Sequence, residues 1–222
     1  MGHLQHADSS RATVDRGRRW SIPTTAGQRS LVAAAVAADR RVFRWLARRH
    51  NPTLDRTMPV LSRAADHGLL WLGIAAVLAG SGRRRPAARA TVSLAVASAT
   101  ANGIAKLAIR RTRPSLERIP LVRRVRRIPV TTSFPSGHAS SAAAFAVGAA
   151  REAPETAIPL GLLAAGVGVS RVWTGAHYPA DVLTGALLGA AVARALPPAR
   201  WRTDRGPGTA QDTPGAALIR RG

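Results

Sequence analysis

The sequence contains no cysteine, so disulfide staples and thiolate metal sites are excluded. Acids are scarce. Eleven Asp and Glu stand against 33 Lys and Arg, for a formal net charge of +22. All the basic residues but one are arginine, and Lys106 stands alone among them. There is a single tyrosine, Tyr178. Yet 46% of the residues are hydrophobic. A soluble nucleic-acid binder of this charge gathers its cations on one surface with aromatics interleaved. Here the arginines punctuate long uncharged runs, the pattern of a membrane protein with basic loops. We therefore expect membrane lipids as surroundings and no nucleic acid as partner. The oligomeric state is not legible.

No one run carries a strong hydropathy signal. Residues 1–29 are polar and without period and predict a disordered tail. Arg18-Arg19 ahead of the eight-residue run Leu31–Ala38 has the outline of an export signal, but the run is short and late, and tail followed by helix is the reading preferred. Residues 30–196 read as a membrane-embedded helical domain. Residues 197–222 revert to Pro, Gly, Arg and Thr, a second disordered, basic tail. Within the domain, Ser30–Arg49 mixes apolar and basic residues and suits an interfacial helix whose arginines meet anionic headgroups. Met58–Gly82, Ala90–Ala105, Val130–Ala150, Thr156–Val169 and Val182–Ala193 follow. Several fall short of the roughly 20 apolar residues a spanning helix needs, and reach it when flanking arginines snorkel. Their Ala and Gly content suits close helix packing in lipid. The expectation is an all-α integral membrane bundle of about five or six helices. A soluble Ala-rich bundle is the alternative.

Three stretches carry chemistry. Ser170–Asp181 holds Arg171, His177 and Asp181 between two apolar runs. Four residues separate His177 from Asp181, so in one helical turn they would share a face. A carboxylate beside an imidazole fixes its tautomer and sharpens the other nitrogen as a nucleophile. Arg171 can hold an anion before it. A helix-start Asp and a hydrogen-bonded loop His would look the same. Pro135-Ser136-Gly137-His138 opens a small-residue helix, where backbone N–H groups and the positive dipole end face an anion. Ser136 adds a hydroxyl, Gly137 permits close approach, and His138 can give a proton to a leaving oxygen. A plain serine cap is the other reading. Lys106 and Arg113, nearly two helical turns apart with Pro114 ending the helix, can clamp a phosphate. They equally serve as stop-transfer charge beside Arg110 and Arg111.

In this order the stretches resemble the type 2 phosphatidic acid phosphatase family, of the acid phosphatase/vanadium haloperoxidase superfamily. Its pattern is Lys, six residues, Arg-Pro; then Pro-Ser-Gly-His; then Ser-Arg, five residues, His, three residues, Asp. Every position is met between Lys106 and Asp181. The resemblance implies metal-independent hydrolysis of a lipid phosphomonoester or pyrophosphate, with no cofactor, at helix ends near the membrane–water boundary. It implies that His177 attacks phosphorus to form a phosphohistidine, that Asp181 orients His177, and that His138 protonates the leaving alcohol. It implies that Lys106, Arg113, Arg171, Ser136 and Gly137 bind the phosphate oxygens. Asp181 is the only acid between Glu155 and Asp204, so the sequence offers no carboxylate cluster there.

Phosphatidic acid, phosphatidylglycerol phosphate, polyprenyl pyrophosphates and polyprenyl-linked sugar phosphates all suit such a site. The basic connection Arg110–Arg127 can gather anionic lipid or act as a solvated loop. Loops on both sides are rich in arginine. The C-terminal tail and the Arg83–Arg85 turn favour a cytoplasmic side opposite an extracytoplasmic site in a multi-pass cell-membrane protein. A same-family phosphotransferase, a vanadium-dependent haloperoxidase and a basic membrane-anchored lipid- or nucleic-acid-binding protein are the alternatives. The last leaves the spacing of His138, His177 and Asp181 unexplained.

Overall fold

The computed structural model describes residues 25–105, 111–115, 117, 119–124 and 132–197. The terminal tails at 1–24 and 198–222, Lys106, Arg110, Arg118, Arg126 and Arg127 lie outside the described residues. Among the described residues there are seven α-helices and no strand.

Helix α1 (Ala26–Arg48) begins four residues ahead of the expected boundary, behind a capping box in which Thr25 and Gln28 each bond the other's backbone N–H. Asn51 caps α2 (Pro52–Ala64), whose first residue is a proline with no N–H to leave unpaired. A 3₁₀ turn, Asp66–Gly68, leads into α3 (Leu69–Gly80). Helix α4 (Arg84–Thr100) ends in a π-turn, Ala101–Ala105. Ser136 caps α5 (Gly137–Ala150); α6 (Ala157–Trp173) and α7 (Pro179–Ala195) follow.

Small residues set the architecture. Helix α5 lies at the centre, packed on α4, α6 and α7, with Ala139, Ala142, Ala144, Phe145 and Ala149 buried. The Trp71 and Phe145 rings meet at 5.1 Å between α3 and α5. Where α7 crosses α5, Gly185 and Gly189 lie directly over the Ser136 and Ser140 carbonyl oxygens, and a Cβ at either would overlap them. This spacing of small residues lets helix backbones touch.

Two expectations change. Met58–Gly82 is not one straight span: α2 and the segment Asp66–Gly80 meet at 59°. Positive φ at His67 (55°) and Gly68 (77°) breaks the helix there. Secondly, among the described residues one unbroken helix, Pro154–Trp173, is long and apolar enough to cross a membrane; the bent pair makes up to two. Helix α5 has only 14 residues, and α4 carries Arg84, Arg85 and Arg89.

The arginines divide by end. At one end Arg83 pairs with Glu155 at 2.6 Å, and buried Arg89 donates to the Leu196 and Pro197 carbonyls and pairs with Glu152. At the other end Arg123 is no lipid-gathering surface charge but an interior anchor, 1% exposed. Its guanidinium pairs with Asp55, bonds the Arg49 carbonyl and lies over the Trp173 ring. Asp55 also accepts from Trp173 Nε1 at 3.0 Å. Arg124 donates to the Ile119 carbonyl.

Gly189→Ala is expected to lower the melting temperature in detergent, because the new methyl overlaps a backbone oxygen. Gly73→Ala, in α3 with open space around its Cβ position, is expected to leave it unchanged or raise it, by about 0.5–1 kcal/mol in stability. Thermal unfolding of the two purified variants checks the pair.

Candidate active site

The bend between α2 and α3, the first turn of α5, the last turn of α6 and the loop into α7 meet at one end of the bundle. The Ser136 N–H donates to the Asp181 carbonyl at 2.9 Å, which seats the start of α5 on the start of α7. Ser136 caps α5 by accepting from the Ala139 N–H, and Gly137 faces the Asn102 side chain.

His177 lies in the turn before α7, not within a helix, while Asp181 sits in the first turn of α7. The two therefore do not stack along one helical face. Gly175, with φ +74°, turns the chain just ahead of His177, and Pro179 starts the helix two residues after it. His177 Nδ1 lies 2.7 Å from the Ser133 carbonyl oxygen and 3.7 Å from Asp181 Oδ2. A carbonyl only accepts, so Nδ1 carries the proton and Nε2 keeps its lone pair. That nitrogen faces Arg113 Nη1 at 3.5 Å.

Burial pushes the His177 imidazole down to about 4; Asp181 pulls upward, while the Arg171 and Arg113 charges reinforce the fall. Its neutral form therefore dominates near neutrality. Arg113, half-buried, donates to the Ala176 carbonyl at 2.7 Å and to the Thr132 carbonyl at 3.3 Å. Residues 111–115 are not helical, so Pro114 ends no helix at Arg113. The expected two-turn relation to Lys106 involves a residue outside the described ones.

Arg171 is buried and donates to Ser62 Oγ at 2.5 Å. The same guanidinium comes within 3.8 Å of Asp66. His138 Nε2 lies 2.8 Å from Asp66 Oδ1. Asp66 was not singled out from the sequence. The only signal there is the Asp-His-Gly break between two apolar segments, which reads as an ordinary turn. Arg111, read as stop-transfer charge, is an inward fork. It bonds Asp181 Oδ1 at 2.7 Å and Asp39 Oδ2 at 2.5 Å.

The described site thus gathers one imidazole with an unprotonated nitrogen, three inward guanidiniums, a helix N-terminus and a second imidazole paired with a carboxylate. Such a set suits an anion attacked by nitrogen. Among the described residues no three His, Asp or Glu side chains gather closely enough to hold a metal ion.

The PAP2 superfamily model matches residues 86–205. The chain is 36% identical over 145 residues to the decaprenylphosphoryl-5-phosphoribose phosphatase of Mycobacterium tuberculosis, covering 64% of this chain and 78% of that protein. It is 41% identical over 58 residues to the lipid A 1-phosphatase of Rhizobium johnstonii, covering 26% of this chain and 24% of the relative. The crystal structure of a transmembrane PAP2 type phosphatidylglycerolphosphate phosphatase from Bacillus subtilis superposes with a TM-score of 0.58 at 25% identity, over 72% of this chain and 83% of the other. LpxE of Aquifex aeolicus superposes at 0.53 with 23% identity, over 69% and 91%. The family match reaches over more than half the chain and takes in every described site residue from Arg111 to Asp181, so the chain belongs to the PAP2 superfamily and is a phosphatase of that family.

Proposed function

We propose that this protein is a multi-pass membrane enzyme that hydrolyses a phosphomonoester on a lipid through a phosphohistidine at His177. The observation that carries this is the commitment of His177 Nδ1 to the Ser133 carbonyl. It leaves Nε2 unprotonated among cations that would hold the phosphate.

In the first step Nε2 forms a bond to phosphorus, the bond to the lipid oxygen breaks, and that oxygen takes a proton from His138. With Nε2 of His138 facing Asp66 Oδ1 at 2.8 Å, Nδ1 is the nitrogen that delivers it. In the second step water attacks phosphorus and gives its proton back to His138, and the electron pair returns to His177. Arg113, Arg171, the Ser136 hydroxyl and the Gly137 N–H bind the phosphate oxygens, with Lys106 in the family's pattern. Donors of this kind are each worth about 10²–10³-fold in rate.

A polyprenyl-linked sugar phosphate is the leading substrate class, because the M. tuberculosis relative acts on decaprenylphosphoryl-5-phosphoribose by its name. Phosphatidic acid-like lipids come second. The end bearing Arg83, Arg85 and Arg194 is taken as cytoplasmic, which puts the site outside.

Phosphate release from polyprenyl-linked sugar phosphate and from phosphatidic acid, in detergent micelles with excess EDTA, tests the reading. Wild type is expected to turn over at least one of them, and His177→Ala none. Equal release by the two proteins would sink the histidine mechanism.

The pH profile gives a separate check. His177 must be neutral to attack, and its proton affinity is lowered. The limb of kcat/KM governed by this group should therefore fall only as pH drops toward about 4, not near the ordinary histidine value of about 6.5. The substrate phosphate titrates separately near about 6 and is common to all variants.

A further inference from the structure

Both anchors of the nucleophile lead to one residue outside the family pattern. The side chain of Arg111 holds Asp181, and its backbone holds Ser133. Asp181 Oδ1 takes the Arg111 Nη1 hydrogen at 2.7 Å, while Oδ2 takes the Tyr178 N–H at 2.9 Å. The Ser133 N–H donates to the Arg111 carbonyl at 2.9 Å, and the Ser133 hydroxyl reaches the same carbonyl at 3.3 Å. The Ser133 carbonyl in turn receives His177 Nδ1.

Arg111 is itself fixed from three sides. Its second amine bonds Asp39 of α1 at 2.5 Å. Its guanidinium lies 4.2 Å over the Tyr178 ring, which Phe43 of α1 meets edge-on at 5.3 Å. The other Asp39 oxygen accepts the Ala180 N–H at 2.9 Å, in the first turn of α7. A planar fork can bridge two carboxylates at set angles, which a lysine ammonium cannot.

From this closed ring we infer that Arg111 and Asp39 are positioning residues for the nucleophile: they hold the Asp181 carboxylate off His177 Nδ1, leave that nitrogen to the Ser133 carbonyl, and make α1 part of the active site. The inference rests on His177 being the nucleophile. Its chemical consequence is a competition for Asp181. With the fork removed, the carboxylate can close the 3.7 Å gap to Nδ1, and one cation beside the site is lost. Both changes favour the protonated imidazole. The other charged or titratable groups facing His177 are Arg113 on its loop, Arg171 on α6 and His138 on α5. None of them is altered by these substitutions.

The test compares Arg111→Gln, Arg111→Lys and Asp39→Asn with wild type and His177→Ala, using the lipid substrate turned over by wild type. For Arg111→Gln we expect kcat to fall about 10²-fold, the scale of a small misplacement of reacting groups, with KM changed less than about threefold. We expect the acid limb of kcat/KM to move up by at least one pH unit. Arg111→Lys should keep the limb nearer to wild type while recovering only part of kcat. Asp39→Asn should show the same direction at smaller size. Unchanged kcat and limb in Arg111→Gln, with His177→Ala inactive, would overturn the positioning role while leaving the nucleophile intact. A fall in kcat that follows loss of melting temperature, with the limb unmoved in folded Asp39→Asn, would also overturn it. Activity surviving in His177→Ala would instead refute the reading beneath it.

Discussion

The contact on which the site depends is the seat of α5 on α7. Ser136 gives its N–H to the Asp181 carbonyl, and Gly185 leaves space for the Ser136 carbonyl oxygen. One turn on, Gly189 does the same for Ser140. Backbone meets backbone with no side chain between, so the starts of two helices lie side by side. Each helix start brings the positive end of its dipole. The loop before one carries His177, and the second residue of the other is His138. Larger residues at positions 185 and 189 would part the helices, and with them the two imidazoles.

A small-residue core also leaves room for charge. Asp55, Arg89, Arg123, Arg171 and Asp181 are all buried. A buried charge is tolerable only where it is paired and hydrogen-bonded, and each of these has partners from distant parts of the chain. Arg123 ties the connection after Arg113 to α2 and to Trp173, two residues beyond Arg171. Arg111 ties the start of that connection to α1 and α7. The loop bearing Arg113 is thus fixed at both ends by arginine forks. Lysine, whose three donors radiate from one nitrogen, lacks the spread planar fork that reaches two separated partners. The chain's preference for arginine has this structural use, whatever its origin.

Helical class was legible from residue type and spacing, because a helix-opening serine and small-residue runs leave local signatures. The arrangement within the site was not. The His177–Asp181 spacing suggests one helical face, yet Pro179 starts the helix after His177, and a backbone carbonyl forty-four residues away takes Nδ1. Nothing local marks Ser133 for that role. Asp66 and Asp39 reach the site only because the chain bends between α2 and α3 at His67-Gly68 and α1 contacts the start of α7. Both are long-range consequences of packing. Arg111 was visible but ambiguous, since a cation beside an apolar run reads equally as a membrane flank.

The geometry also separates two tasks that a histidine–aspartate pair is usually asked to perform together. Choice of tautomer belongs to the Ser133 carbonyl, which takes the Nδ1 proton at hydrogen-bond distance. Asp181, at 3.7 Å with both oxygens engaged elsewhere, acts on the imidazole through its charge. That action need not be weak. Two unit charges 4 Å apart at an effective dielectric of 20 interact by about 4 kcal/mol. In the proposed mechanism the benefit is greatest once phosphorus bonds to Nε2 and the ring becomes cationic, because positive charge then stands beside a fixed carboxylate. Before that step, in the positioning role inferred for Arg111, its fork partly neutralises the same carboxylate and so disfavours protonation of the resting imidazole. A charge set close to the ring but denied its hydrogen bond favours the intermediate over the protonated resting state, the discrimination a histidine nucleophile requires.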